Sequence, residues 1–127
     1  MKLTGMNHFT VLTANLQSSV HFYAEVLGLS VGPRPALAFD GAWLYCEDAA
    51  VVHLVARKTA ASTSGVLDHM AFSATDLGGF QKRLRSFGIP FVLSQQIDTG
   101  IWQIFLHDPD GAKIELDFAP TEVPPAE

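Results

Sequence analysis

The chain has 127 residues, 48% of them hydrophobic, and a formal charge of −5 with only eight Lys and Arg. That length buries one respectable core, or two half-size units sharing one. The few cations are scattered, which argues against a nucleic-acid or anionic-membrane surface and leaves small, neutral or polar molecules as partners.

No window approaches the roughly 18 apolar residues of a membrane span, and MKLTGMNHFTV lacks the unbroken apolar run of a signal peptide, so a cytoplasmic protein is expected. The single cysteine, Cys46, cannot form an internal disulfide and reads as a packed core thiol beside Leu44 and Tyr45.

Residues 5–14, GMNHFTVLTA, alternate as a strand does, with Met6, His8, Thr10 and Leu12 on one face and Asn7, Phe9 and Val11 on the other. Asn15 is a natural N-cap for a helix from about Leu16 to Leu27, which Gly28 ends. Leu29 to Val31 starts a second strand, and Gly32-Pro33-Arg34-Pro35 breaks it, because two prolines so close remove backbone donors. Gly41 to Cys46 and Val51 to Val55 follow as strands around a Glu47-Asp48 turn, with His53 central in the second. The order is βαβββ.

Residues 58–65, KTAASTSG, read as a surface linker, and then the pattern returns. Leu67 to Ala74 is a strand; Asp76 caps a helix lined by Leu77, Phe80, Leu84 and Phe87, which Gly88 ends; three strands follow at Phe91 to Gln95, Ile101 to Leu106 and Ala112 to Phe118. The last two are joined by Asp108-Pro109-Asp110-Gly111, a reversing turn. Residues 119–127, with three prolines, are expected to fray. Asn7-His8 matches Asp68-His69 at an offset of 61, and His53 matches Glu115 at 62, so the modules, 1–57 and 66–118, repeat in architecture though little in identity.

Alternation in AKIELDF places Ile114, Leu116 and Phe118 on one face and Lys113, Glu115 and Asp117 on the other. A mid-strand carboxylate such as Glu115 needs a partner or a ligand. The recurring polar positions are His8, His53, His69 and Glu115. The fold class expected is α+β, two βαβββ modules forming curled mixed sheets around a metal-binding cup with the helices outside, and in that cup these four residues would converge. Two imidazoles with one carboxylate suit one divalent first-row transition metal, Fe, Mn, Zn or Ni, and leave coordination positions open for substrate. Thr10, Trp43, Tyr45, Ser73, Gln103 and Phe105 share faces with these residues and are the expected substrate pocket, largely aromatic with a few polar handles. His21 and His107 are expected at the surface.

The opening MNHFTVLTANLQSSVHFYAEVLGL, the second-module LDHMAFSATDLGGFQKRLRSFGI and the segment FLHDPDGAKIEL together resemble the vicinal oxygen chelate superfamily, over residues 3–118. That superfamily includes glyoxalase I, extradiol dioxygenases, fosfomycin-resistance enzymes and bleomycin-binding proteins. The resemblance implies His8, His69 and Glu115 as metal ligands, His53 in a fourth, more variable position, and a homodimer. It also implies a metal that chelates two vicinal oxygens of a small substrate.

A His in the fourth position resembles ring-cleaving extradiol dioxygenases, in which it is an acid/base, and this is the leading expectation, with His53 catalytic. A glyoxalase I-like lyase or isomerase is the alternative, and a non-catalytic binding protein of the bleomycin-resistance kind a further one. A fosfomycin-type phosphonate pocket is disfavoured because no Lys or Arg lies between Gly88 and Ala112, and Arg34 is the one evident loop cation for an anionic substrate.

Overall fold

The structure, a computed structural model, describes every residue except Leu3, residues 58–66, Asp68 and Glu127. The expected linker, residues 58–65, lies outside the described residues. The chain divides into two compact units, Met1–Thr63 and Ser64–Glu127. Each carries one four-stranded mixed sheet, and the fold is α+β.

The first unit comprises β1 (Phe9–Thr13), α1 (Leu16–His21), β2 (Ser30–Gly32), β3 (Gly41–Cys46) and β4 (Ala49–Ala56), with the sheet in the order β1-β4-β3-β2. β1 runs parallel to β4, and the other neighbours are antiparallel. Val11, Leu44, Val52 and Leu54 fill one face together with Phe22, Tyr23 and Val26. Asn15 caps α1 as its sequence suggests, its Oδ1 accepting from Ser18 N at 3.0 Å.

The helix expected to run to Leu27 stays α-helical only to His21 and continues as a π turn over Phe22–Val26. This wider turn buries the adjacent Phe22 and Tyr23 together, a pair that a regular helix would rotate about 100° apart. Gly28, with φ +81°, closes it as expected. Cys46 is exposed rather than packed, because it is the last residue of β3, at the tight turn through Glu47, where φ is +54°.

The second unit comprises β5 (Met70–Ser73), α2 (Leu77–Ser86), β6 (Val92–Gln95), β7 (Trp102–His107) and β8 (Lys113–Phe118), in the order β5-β8-β7-β6, with β5 parallel to β8. Ile104, Leu106, Ile114, Leu116 and Phe118 are almost fully buried. α2 reaches this layer through Leu77, Leu84 and Phe80, whose ring meets that of Phe118 at 5.7 Å. The buried stripe of α2 is Leu77, Gln81 and Leu84, and Phe87, expected on it, is 43% exposed. Asp108 organises the turn between β7 and β8: its Oδ1 accepts from Asp110 N at 2.9 Å and Ala112 N at 2.8 Å.

His8 and His69 do not lie in mid-strand. Each sits one residue before its strand, at the N-terminal ends of β1 and β5.

Residues 119–127, expected to fray, are tied to α2 over their first part. The Glu122 carboxylate accepts from Asp76 N at 3.1 Å and from Leu77 N, two donors that the first turn of the helix leaves unpaired. Replacing Glu122 with Ala should therefore cost about 1 kcal/mol and lower Tm by a few degrees in thermal circular dichroism. An unchanged Tm would show that the tail contributes nothing to α2.

Candidate functional site

In the first unit the face of the sheet opposite the core carries three stacked rings. Trp43 and His53 are register partners on β3 and β4, and their rings lie 3.9 Å apart at 9°. His8 stacks on the other side of His53, at 3.7 Å and 12°. Thr10, opposite His53 on β1, is exposed beside them.

The hydrogen bonds of the two imidazoles set which nitrogen each presents. His8 Nδ1 lies 2.7 Å from Asn7 Oδ1; an amide oxygen only accepts, so Nδ1 carries the proton and Nε2 offers its lone pair. His53 does the reverse: Nε2–H donates to the Ala50 carbonyl at 3.1 Å and Nδ1 offers the lone pair. Burial, and then repulsion from His8, lower the His53 pKa, with the Ala50 bond opposing them, so His53 is neutral at neutral pH.

Imidazole lone pairs lie in the ring plane. Two rings 12° from parallel and 3.7 Å apart cannot both aim theirs at one ion, so in this arrangement His8 and His53 are not co-ligands.

In the second unit Glu115 is 8% exposed and hydrogen-bonded on both oxygens. Oε2 lies 2.8 Å from His69 Nε2, and Oε1 accepts from the Gln103 amide. The same amide is 3.3 Å from Asp117 Oδ1, so one side chain on β7 spans two carboxylates on β8. Phe105 is the register partner of Glu115; its ring meets that of His69 edge-on at 6.4 Å, and Lys113 Nζ sits 5.2 Å over it. Burial raises the Glu115 pKa, hydrogen bonding to Asp117 and the Asp117 charge raise it further, and His69 and Gln103 pull it part of the way back.

Among the described residues no three of His, Cys, Asp and Glu form one metal-holding group. The structure instead brings the predicted site residues together in pairs, His8 stacked on His53 and Glu115 bonded to His69. As donors they fit a first-row divalent ion: His8 presents a free Nε2, and a carboxylate is held beside an imidazole.

Two expected pocket handles are already engaged. The Tyr45 hydroxyl donates to the Pro33 carbonyl at 2.6 Å, and the Gln103 amide serves the carboxylates. Expectation missed Asn7, which alternation had put on the opposite face, and gave no role to Asp117 or Lys113, although alternation had placed both beside Glu115.

The family model for the Glyoxalase/Bleomycin resistance protein/Dioxygenase superfamily matches residues 5–116. The chain belongs to this superfamily. Its relatives include "Glyoxylase I 4" of Arabidopsis thaliana, 35% identical over 91% of this chain and 71% of that protein. "Glutathione transferase FosA" of Serratia marcescens is 34% identical over 90% of this chain and 80% of that protein. Among solved structures, the trypanothione-dependent glyoxalase I of Leishmania major superposes with a TM-score of 0.76 at 22% identity, over 94% of this chain and 89% of that one. No helix among the described residues is long and apolar enough to cross a membrane.

For a superfamily member, the raised pKa of Glu115 is a cost to the fold. Between the ordinary carboxylate pKa and the raised one, the folded protein holds a proton that the unfolded chain has released, so this group's contribution to stability falls as pH rises through that window. Glu115→Gln should therefore raise Tm above the window and leave it unchanged below it. Thermal melts from acid to neutral pH check this; a variant destabilised at neutral pH would mean that the ionised carboxylate is a net asset to the fold.

Proposed function

We propose that the protein is a metal-dependent enzyme that chelates a small substrate through two vicinal oxygens, with His8, His69 and Glu115 holding one divalent metal and His53 acting as acid/base. The observation that carries this reading is Glu115, a carboxylate kept buried in mid-strand and aimed by one oxygen at an imidazole. The metal, when bound, supplies a Lewis acid that draws electron density from both substrate oxygens.

The chain's own residues do the rest. His53 is neutral, and its Nδ1 takes a proton from substrate and returns it while Nε2 stays on the Ala50 carbonyl. Its parallel stack against His8 supports this role over that of fourth ligand. Trp43 and Phe105 supply flat walls and Thr10 a hydroxyl. Gln103 is a positioning residue that fixes the rotamer of Glu115. The donors are divided between the two units, so a full set takes one unit of each kind; we place them in a homodimer.

Proton transfer of the glyoxalase type leads among the chemistries, reversing the order expected from sequence, because the relatives above 30% identity are named for glyoxylase I and a glutathione transferase. Ring-cleaving dioxygenation is the second reading, favoured by a donor set of two His and one carboxylate.

Protein purified without chelator should carry about one first-row metal per chain, measured by elemental analysis. Substituting His8, His69 or Glu115 with Ala should weaken binding by ~100-fold or more, and Gln103→Ala by ~10-fold, whereas His53→Ala should keep the metal and lose turnover. Zinc, nickel or manganese with isomerisation of the glutathione–methylglyoxal adduct would support the leading reading; iron with oxygen uptake on catechols would support the second. Metal binding no tighter than that of His8→Ala would sink both. Mixing inactive His8→Ala and Glu115→Ala proteins should restore activity if sites form across two chains and leave none if each forms within one.

A further inference from the structure

The rings on the first sheet form a row that crosses it from edge to edge. His8 stands just before β1, His53 is on β4 and Trp43 on β3. On β2 the register partner of Trp43 is Gly32, which has no side chain to continue the row. The Tyr45 ring takes that place: a Cβ on Gly32, pointing to the face its partner Trp43 occupies, would come within 2.6 Å of Tyr45 Cδ1 and Cε1. The Tyr45 hydroxyl, held on the Pro33 carbonyl at 2.6 Å, pins the ring there.

Inside this row the His53 imidazole is sandwiched. Trp43 covers one ring face at 3.9 Å and 9°, and His8 covers the other at 3.7 Å and 12°. Those spacings are ordinary carbon contact distances, so the ring cannot turn about its Cβ–Cγ bond, a torsion that is broad in an unrestrained His, without displacing a neighbour. Turning it over would take Nε2 off the Ala50 carbonyl and change the edge presented. The two neighbours differ in kind. His8 lies ahead of its strand and is the ligand in the function proposed above, whereas the pairing of β3 with β4 itself holds Trp43 beside His53. The second unit fixes Glu115 from β7 in the same sense, through the Gln103 amide. A carboxylate has oxygens to offer such an amide. A neutral imidazole that must keep one nitrogen free is better held by its faces, because stacking uses neither nitrogen.

Building on that function, we infer that Trp43 is a positioning residue of the acid/base His53: its indole face clamps the imidazole so that Nε2 stays on the Ala50 carbonyl and Nδ1 is presented to substrate. With both faces covered, substrate meets His53 at one edge and in the plane of the ring. One face of the indole is committed to this clamp, and Tyr45, lying over Gly32, closes the row behind it.

Metal-free protein labelled with 15N and 13C at histidine gives a readout independent of turnover. At neutral pH the two-bond 1H–15N correlations of wild-type His53 should show a single tautomer, protonated at Nε2, and its ring carbons should be as rigid as the main chain. Trp43→Leu, and the milder Trp43→Met, should show mixed tautomers and a mobile ring. They should bind zinc within about twofold of wild type and lower kcat on the glutathione–methylglyoxal adduct by ~10-fold or more, with KM little changed; Trp43→Phe should recover most of that loss. A Leu or Met variant in which His53 keeps one tautomer and a rigid ring, or in which KM rises and kcat is spared, would make Trp43 a substrate wall alone and overturn the inference. Should those variants fail to fold, a freely moving His53 ring in the wild type overturns it and a rigid one supports it. Full turnover in His53→Ala, with the histidine signals behaving as expected, would sink the acid/base reading and leave the clamp standing.

Discussion

Side chains along a strand alternate between two faces, and in each unit of this protein the alternation separates the fold from the chemistry. On β4, Val52 and Leu54 are buried while His53 faces the other way onto Trp43 and His8. On β8, Ile114, Leu116 and Phe118 are buried against Ile104, Leu106 and α2, while Lys113, Glu115 and Asp117 face Phe105 and Gln103. A shift of one residue in either register would place charges in the core and expel the apolar layer, so the packing energy that holds the fold also fixes where the polar groups stand. The polar faces therefore need no device of their own to hold them in register.

That dependence explains which features were legible in the sequence. The period of two in AKIELDF and VVHLV, and its recurrence at offsets of 61 and 62, contain the strand faces, the βαβββ order and the singling out of His8, His53, His69 and Glu115. What stayed hidden depends on contacts outside the period. The π turn through Phe22–Val26 arises where two adjacent aromatics are buried together, against helical periodicity. Gln81 occupies a core position on α2 that its polarity conceals. Cys46 is exposed by a turn one residue away, and the hold of Glu122 on α2 joins residues 45 and 46 apart in the chain.

The second unit places a carboxylate where the fold would do better without one. Burial and the neighbouring Asp117 both work against its ionisation, and Gln103 and His69 return only part of that loss. A buried strand position under selection for stability alone would take an amide or an apolar side chain. One oxygen of Glu115 is fixed by the Gln103 amide and the other lies against His69, so the side chain is held in a single orientation. Lys113 over Phe105 adds one positive charge to a face that otherwise holds two carboxylates, and so leaves it less hostile to an approaching anion.

The first unit resolves a different conflict, how two adjacent imidazoles acquire separate roles. His8 and His53 are the same residue type, a stacking distance apart, and nothing in their spacing separates one from the other. Their hydrogen-bond partners do. Asn7 holds Nδ1 of His8 and turns Nε2 outward; the Ala50 carbonyl holds Nε2 of His53 and turns Nδ1 outward. That carbonyl lies where the pairing of β3 with β4 shifts between Leu44 and Tyr45, so that Tyr45 meets Ala50 and Val51 is left as the extra residue. The bulge lies just before His53, so the partner of the His53 Nε2 sits at an irregularity in the main chain, whereas that of His8 is the neighbouring Asn7 side chain.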